Sequence, residues 1–182
     1  MRIYIVGSVA SGKTTLAKKL SNQLGIKCTH LDCIVHIKDM NDKKWGNIRR
    51  PDEEINQLFK STVMQPHWVI EDAGRKMFSE GMEAADMIVH LKPSIFIKRM
   101  RVITRFIKQK LGMEECIYTP SIRMLIFMFK ALNNYEIGKD DLEFRLNQYA
   151  NKVVILRNGK EIKKFMVSVL QSEHSIQRTS CL

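Results

Sequence analysis

The sequence predicts an α/β fold, a parallel sheet with helices on both faces. Three observations predict it. Short apolar, β-branched runs alternate with helical repeats along the chain, as in crossover units. The first run, "RIYIV" at residues 2–6, flows into "GSVASGKTT" at residues 7–15 and then into a helical repeat. Acids close two further runs, at Asp32 and at Glu71-Asp72, and ligands of open parallel sheets gather outside the carboxyl ends of the strands.

The elements follow in order. "RIYIV" reads as a buried parallel strand. Beyond the loop, Leu16, Leu20 and Leu24 recur every four residues and Gly25 is a stop signal. "KCTHLD", residues 27–32, reads as a second strand ending in an acid. Residues 33–52 are polar and irregular, with Trp45 and the pair Arg49-Arg50. Pro51 and the acids Asp52, Glu53 and Glu54 open a helix, with Ile55, Leu58, Phe59 and Val63 as its stripe. "HWVIE", residues 67–71, is a third strand, a short helix spans 76–83, and "DMIVHL", residues 86–91, is a fourth strand. Pro93 begins a long helix to about Leu111, with Phe96, Met100, Ile103, Ile107 and Leu111 on one face. Residues 112–120 break it; an unusually apolar helix covers 121–132 and another 140–149. "KVVIL", residues 152–156, is the fifth strand. Asn158-Gly159 could close a hairpin, but the spacing of Ile162, Phe165, Met166 and Val169 favours a terminal helix. With no repeat, linker or low-complexity segment, residues 1–182 read as one domain.

Composition narrows the function classes. Hydrophobic residues make up 45% of the chain, so it is globular. No apolar run approaches the ~20 residues of a membrane span, and a strand stands where a signal peptide would need an apolar core and a cleavage site. The expectation is a cytoplasmic protein with no membrane partner. Cys28, Cys33, Cys116 and Cys181 lack metal-pair spacing, and the five histidines are scattered. The net charge of +11 suits nucleotides, phosphosugars or nucleic acid, or a merely basic solvated surface.

Residues 7–15 carry the chemistry. Gly7, Gly12, Lys13 and Thr14 fit G-x-x-x-x-G-K-[ST], which chance places in under roughly 1% of chains this long. The glycines permit a tight turn and close approach. Loop amides and the helix N-terminus converge on an anion. Gly7, Ser8, Val9, Ala10, Ser11, Gly12, Lys13, Thr14 and Thr15 are therefore the expected nucleotide-phosphate cradle. Lys13 would reach the β- and γ-phosphates, and the Thr14 hydroxyl would ligate Mg²⁺. Thr15 touches phosphate or merely caps.

"WVIEDAGR", residues 68–75, offers two acids for a Mg²⁺ site, Glu71 and Asp72, usually through water. Arg75 could clamp a phosphate or form a surface ion pair. Asp32 could orient or deprotonate an accepting hydroxyl, or cap a turn. The long helix carries Lys98, Arg101, Arg105 and Lys108 opposite its apolar face, either as a solvated face or as a functional one. The break after it reads as a lid, about 108–123, that would exclude water from a transferred phosphoryl group.

With these residues in view, the chain resembles small P-loop kinases of the adenylate kinase-like superfamily, and most closely the bacterial DNA topology modulation proteins. The likeness runs from Met1 to about Leu170, carried by "GSVASGKTT", "HLD" at 30–32, "WVIE", "EAADMIVHL" and "KVVIL". The resemblance implies a P-loop NTPase three-layer sandwich, a five-stranded parallel sheet in the order 2-3-1-4-5, a helical lid, and ATP–Mg²⁺ as donor. An ungapped match to the adenylate kinase stretch D-G-F-P-R puts Glu71 at its Asp, Arg75 at its Arg and Asp72 at its Gly. Nucleotide kinases carry two arginines four apart on the helix entering the lid, which Arg101 and Arg105 match. No arginine lies between Gly112 and Ser121, so Lys110 or Arg123 would substitute. The acceptor region, about 33–65, resembles no nucleoside-monophosphate site.

The reading that follows is an ATP-dependent phosphotransferase acting on a small nucleotide-like or hydroxyl-bearing acceptor. Lys13 and the loop amides hold the donor, and Thr14 with Glu71 holds Mg²⁺, Asp72 being the second choice. Asp32 aligns the acceptor; Arg75, Arg101 and Arg105 offset the developing charge. The rival is a nucleic-acid-associated regulatory protein that uses ATP as ligand or hydrolyses it slowly; weak, non-specific nucleic-acid binding is expected in either case. The apolar stretch 122–132 lies under the lid or forms a dimer face, giving a monomer or a homodimer.

Overall fold

The computed structural model describes residues 1–39, 41–42, 45–114 and 118–179. Cys116 and Cys181 lie outside them. The first strand, β1 (Arg2–Gly7), leads through the loop into α1 (Lys13–Leu24). β2 (Cys28–His30) is short because the chain turns at Leu31 into α2 (Leu31–Val35). Asp32 therefore sits on the first turn of a helix, not on the strand that the sequence suggests. Residues taken as irregular pair instead as β3 (His36–Lys38) and β4 (Asn47–Arg49), an antiparallel ribbon with Ile37 opposite Ile48.

The remaining elements are α3 (Asp52–Val63), β5 (Trp68–Asp72), α4 (Ser79–Ala84) after a single 3₁₀ turn, β6 (Met87–Leu91), α5 (Ile95–Lys110), α6 (Ile122–Glu136), α7 (Leu142–Asn147), β7 (Val153–Leu156) and α8 (Gly159–Thr179). Local chemistry sets several boundaries. Asp52, Glu53 and Glu54 fill the first turn of α3 and Lys60 its last, each complementing the helix dipole. The Ser94 and Ser121 hydroxyls accept from the backbone amides of Ile97 and Met124, capping α5 and α6.

The main sheet runs β2-β5-β1-β6-β7, every neighbour parallel. Without the β3–β4 ribbon, this is the order 2-3-1-4-5. Side chains alternate across it. Tyr4, Val6, Ile70 and Ile88 face Leu31, Ile55, Phe59, Phe78, Met82 and Leu142. Ile3, Ile5, Val69 and Val89 face Leu16 and Leu20 of α1 and Phe165, Met166 and Val169 of α8. A third apolar cluster joins Val102 of α5 and Met124 and Met128 of α6 to Val9, Ala10, Trp45 and Tyr118.

The α5 helix departs most from the sequence reading. Phe96, Met100, Ile103, Ile107 and Leu111 do lie on one face, but that face is exposed. Lys98, Val102 and Gln109 are buried in its place. Lys98 pairs with Glu136 of α6 and lies 5.6 Å from the Tyr135 ring centroid.

Packing at Gly81 on α4 gives a stability prediction. A methyl group there would stand 2.7 Å from Tyr4 Cε2 and 2.9 Å from Phe59 Cζ. Gly81→Ala should therefore lower unfolding stability by about 1–3 kcal/mol, despite alanine's better helix propensity, when measured by denaturant titration.

Candidate functional site

The site lies at the carboxyl ends of the central strands. Register places Ile5 opposite Glu71, Val6 opposite Asp72 and His90, and Gly7 opposite Leu91. Gly7 leaves β1 where only glycine fits: a Cβ would stand 2.7 Å from the Leu91 carbonyl oxygen and 2.8 Å from Ser11 Oγ. Gly12 caps α1 with φ +100°, a left-handed conformation that side-chain-bearing residues avoid. Ala10 is also left-handed, at φ 58°.

Ser8 and Ser11 are buried, and among the described residues neither hydroxyl has a hydrogen-bond partner. The Lys13 ammonium, half-buried, donates to the Ser8 carbonyl oxygen at 2.9 Å. Burial lowers its pKa, against the pull of Glu71, Asp32 and Asp72. Thr15 is exposed on the first helical turn. Arg101 reaches the loop from α5, donating to the carbonyls of Ser11 at 3.0 Å and Ala10 at 3.3 Å.

Two acids end β5 and point to opposite sheet faces. On the α1 side, Glu71 Oε1 accepts from Thr14 Oγ1 at 3.1 Å and from His30 Nδ1 at 3.0 Å. On the other side, Asp72 accepts from the amides of Gly74 at 2.7 Å and Arg75 at 2.6 Å, and from Arg75 NH1 at 2.5 Å. Asp72 is thus engaged in closing the 73–75 turn. Arg75 also pairs with Asp32. Burial alone would raise the Asp32 carboxyl, but the charge and hydrogen bond of Arg75, and then Lys13, bring it below its ordinary value.

Thr14 and Glu71 are the pair that could hold a divalent cation. Among the described residues no group of three or more His, Cys, Asp or Glu could hold a metal unaided. That donor set fits Mg²⁺, which keeps several waters and takes one or two protein ligands beside substrate phosphates.

Not every sequence-derived residue converges. Arg105 does not touch the loop; it pairs with Glu114 at 3.0 Å. Lys110 and Arg123 are exposed. Of the basic stripe, Lys98 is buried against Glu136, while Arg101 binds the loop carbonyls and Arg105 pairs with Glu114; Lys108 is exposed. Two features escape sequence reasoning. His30, dismissed among scattered histidines, holds Glu71; its only signal is its place two residues before Asp32. Trp45 accepts from the Thr119 amide through its carbonyl at 2.7 Å, and its ring meets Phe127 at a tilt of 56° with centroids 5.5 Å apart. This brings the segment beside the ribbon and the segment after α5 together over Val9 and Ala10.

Solved structures share this fold. A gluconokinase from Sinorhizobium meliloti 1021 superposes with a TM-score of 0.52 at 12% identity, covering 95% of each chain. A shikimate kinase from Acinetobacter baumannii, in complex with shikimate, gives 0.55 at 17% identity, over 96% of this chain and 93% of that one. A shikimate kinase from Bacteroides thetaiotaomicron gives 0.54 at 17% identity, over 96% and 98%. The fold is that of the P-loop kinases. No protein-family model matches the sequence, and no curated protein matches it.

The His30 contact has a measurable consequence. Its hydrogen bonds to the Cys28 sulfur and to Glu71 raise its pKa from 6.5 to about 10, against a smaller opposing effect of burial. Stabilisation from this pair is fully present below the unfolded value and is lost as pH rises through the folded one. NMR should find the imidazolium intact at pH near 8, about 1.5 units above the ordinary value. His30→Gln should flatten the loss of stability across that range. A His30 ring that titrates near its ordinary value would refute the pairing.

Proposed function

We propose that the chain is an ATP-dependent phosphotransferase that moves the γ-phosphate to a small, hydroxyl-bearing or nucleotide-like acceptor. The observation that carries this reading is the meeting of Thr14 with Glu71 at the mouth of the Gly7–Thr15 loop, with Lys13 beside them. That set can hold a polyphosphate and its cation at one point. The fold neighbours, named as a gluconokinase and shikimate kinases, support a small-molecule acceptor. A finer likeness to DNA topology modulation proteins gains nothing from the basic stripe, of which Lys98, Arg101 and Arg105 are engaged.

Each group has a physical task. The loop amides and the two unpartnered serine hydroxyls receive phosphate oxygens. Lys13 exchanges the Ser8 carbonyl for the donor's terminal phosphates. Mg²⁺, when bound through Thr14 and Glu71, neutralises phosphate charge. Asp32 stays ionised because Arg75 and Lys13 favour its carboxylate. It therefore aligns the acceptor by accepting its hydroxyl hydrogen bond, and a loose phosphoryl transition state asks little more of a base. Arg101 stands over the loop carbonyls, placed to swing to donor phosphate. The Trp45–Thr119 contact closes the acceptor side against the lid and keeps water from the loop.

Two comparisons test this reading. Lys13→Ala should keep its thermal unfolding within a few degrees and lose phosphate transfer by about 10²-fold or more, in a turnover panel of nucleotides, nucleosides and small hydroxy acids. Unchanged transfer would remove the loop from the reaction. Glu71→Gln should raise the Mg²⁺ concentration for half-maximal rate. Asp72→Asn should instead cost stability of about 1–3 kcal/mol, because it weakens a buried turn. The reverse pattern would exchange the roles of the two acids.

A further inference from the structure

We infer that the outward face of α5 is a docking surface for an anionic lipid bilayer. Phe96, Met100, Ile103, Ile107 and Leu111 form one stripe along the 16-residue helix, and all are exposed, Phe96 by 71% and Leu111 by 68%. At 3.6 residues per turn this stripe is directly opposite Lys98, Val102 and Gln109, the face packed into the protein. A helix that turns its apolar side out along its whole length presents a surface for a partner. Met113 beyond its end, and Ile122 and Ile126 on the neighbouring α6, are exposed as well.

Charge identifies the partner. Of the nine Lys or Arg between Lys92 and Ala131, Lys92, Lys98 and Arg101 are engaged with Glu143, Glu136 and the loop carbonyls, so the charge of the outward side rests on the others. Arg99 and Lys110 lie along one flank of the stripe and Lys108 along the other, all exposed. Arg123 and Lys130 are exposed on α6. The Arg105–Glu114 pair lies on the opposite side of α5 from the stripe, so it does not neutralise the flanking Arg99, Lys108 and Lys110. A second copy would set the same basic flanks against each other, since a two-fold contact brings a patch to itself. A partner helix would seek a groove, whereas these side chains stand as a ridge. A ridge of Phe, Met, Ile and Leu rimmed by Lys and Arg fits the interface of an anionic bilayer, where apolar groups enter the acyl boundary and cations meet headgroups. Lying on a bilayer needs no crossing helix, and among the described residues none is long and apolar enough to cross. The contact is independent of what the phosphate loop transfers.

Co-sedimentation of the full chain with vesicles at about 0.15 M salt tests the inference. Phosphatidylcholine vesicles with about 30% phosphatidylglycerol should bind the chain at least tenfold more tightly than pure phosphatidylcholine. Ile103→Glu with Ile107→Glu should weaken that binding at least about tenfold, since two buried aliphatic side chains are lost. Thermal unfolding should stay within a few degrees, because both side chains are exposed; the Ser pair at the same positions, expected to weaken binding in the same direction, serves if the Glu pair unfolds. Three outcomes would overturn the inference. One is absence of binding to either vesicle. Another is binding that both double variants keep and added salt alone removes, which is adsorption of a basic protein. The third is a dimer in sedimentation equilibrium that the Glu pair splits, without vesicle binding, which makes the face a self-interface.

Discussion

Two carboxylates buried side by side at the end of β5 set the conditions for everything around them. An ionised carboxylate left unpaired in the interior costs several kcal/mol, so Glu71 and Asp72 each draw partners. Strand alternation sends them to opposite faces. Glu71, level with Ile5, meets the helix that begins at Lys13 and gathers Thr14 and His30. Asp72, level with Val6, gathers two backbone amides and Arg75. One acid thereby orders the phosphate-loop side, and the other orders the turn that presents Arg75 to Asp32. The period-two geometry of the strand thereby divides two hydrogen-bond networks between adjacent residues.

The same demand for paired charge accounts for the orientation of α5. Its cationic side packs inward because oxygen atoms wait there: the carbonyls of Ala10 and Ser11 for Arg101, and the Glu136 carboxylate for Lys98. Lys98 is 1% exposed, and the Tyr135 ring beside it offers its π-face. Tyr135 in turn bonds His90 at 2.7 Å, and burial pushes the His90 pKa down to about 4, so that ring is neutral when it meets the hydroxyl. With charge satisfied inside, the aliphatic side of the helix is left for the surface.

Much of this fold was legible in the sequence because its signals are local. The phosphate loop and the alternation of β-branched runs with helical repeats mark a parallel α/β fold; the strand order 2-3-1-4-5 was what the resemblance implied, and the sheet has it. The β3–β4 ribbon was not legible: its strands are three residues each, and only Ile37 and Ile48 mark their pairing. Nor was the direction of α5. Periodicity at 3.6 residues shows that a helix has two faces, and burial statistics then assign the apolar one to the core. Here the inner neighbours are carbonyls and a carboxylate contributed by segments 38 to 91 residues away, which no local pattern reveals. His30 was missed for the same reason, since its partner Glu71 is 41 residues distant.

The Gly7–Thr15 loop, α5 and α6 are joined through Arg101 and a shared apolar cluster. Arg101 fastens the helix to the loop at Ala10, a residue already held in a left-handed conformation, and Val9 and Ala10 pack with Val102, Met124 and Met128. A left-handed non-glycine residue persists where its surroundings over-determine it, and here those surroundings are α5, α6 and Trp45. The loop's shape is therefore set partly by elements that follow it by some ninety residues. Movement of α5 along its axis would shift both Arg101 contacts, so the shape of the Gly7–Thr15 loop and the position of α5 are coupled. An outward face that engages a partner would act on the same rigid helix, and its effect would reach the phosphate loop through Arg101.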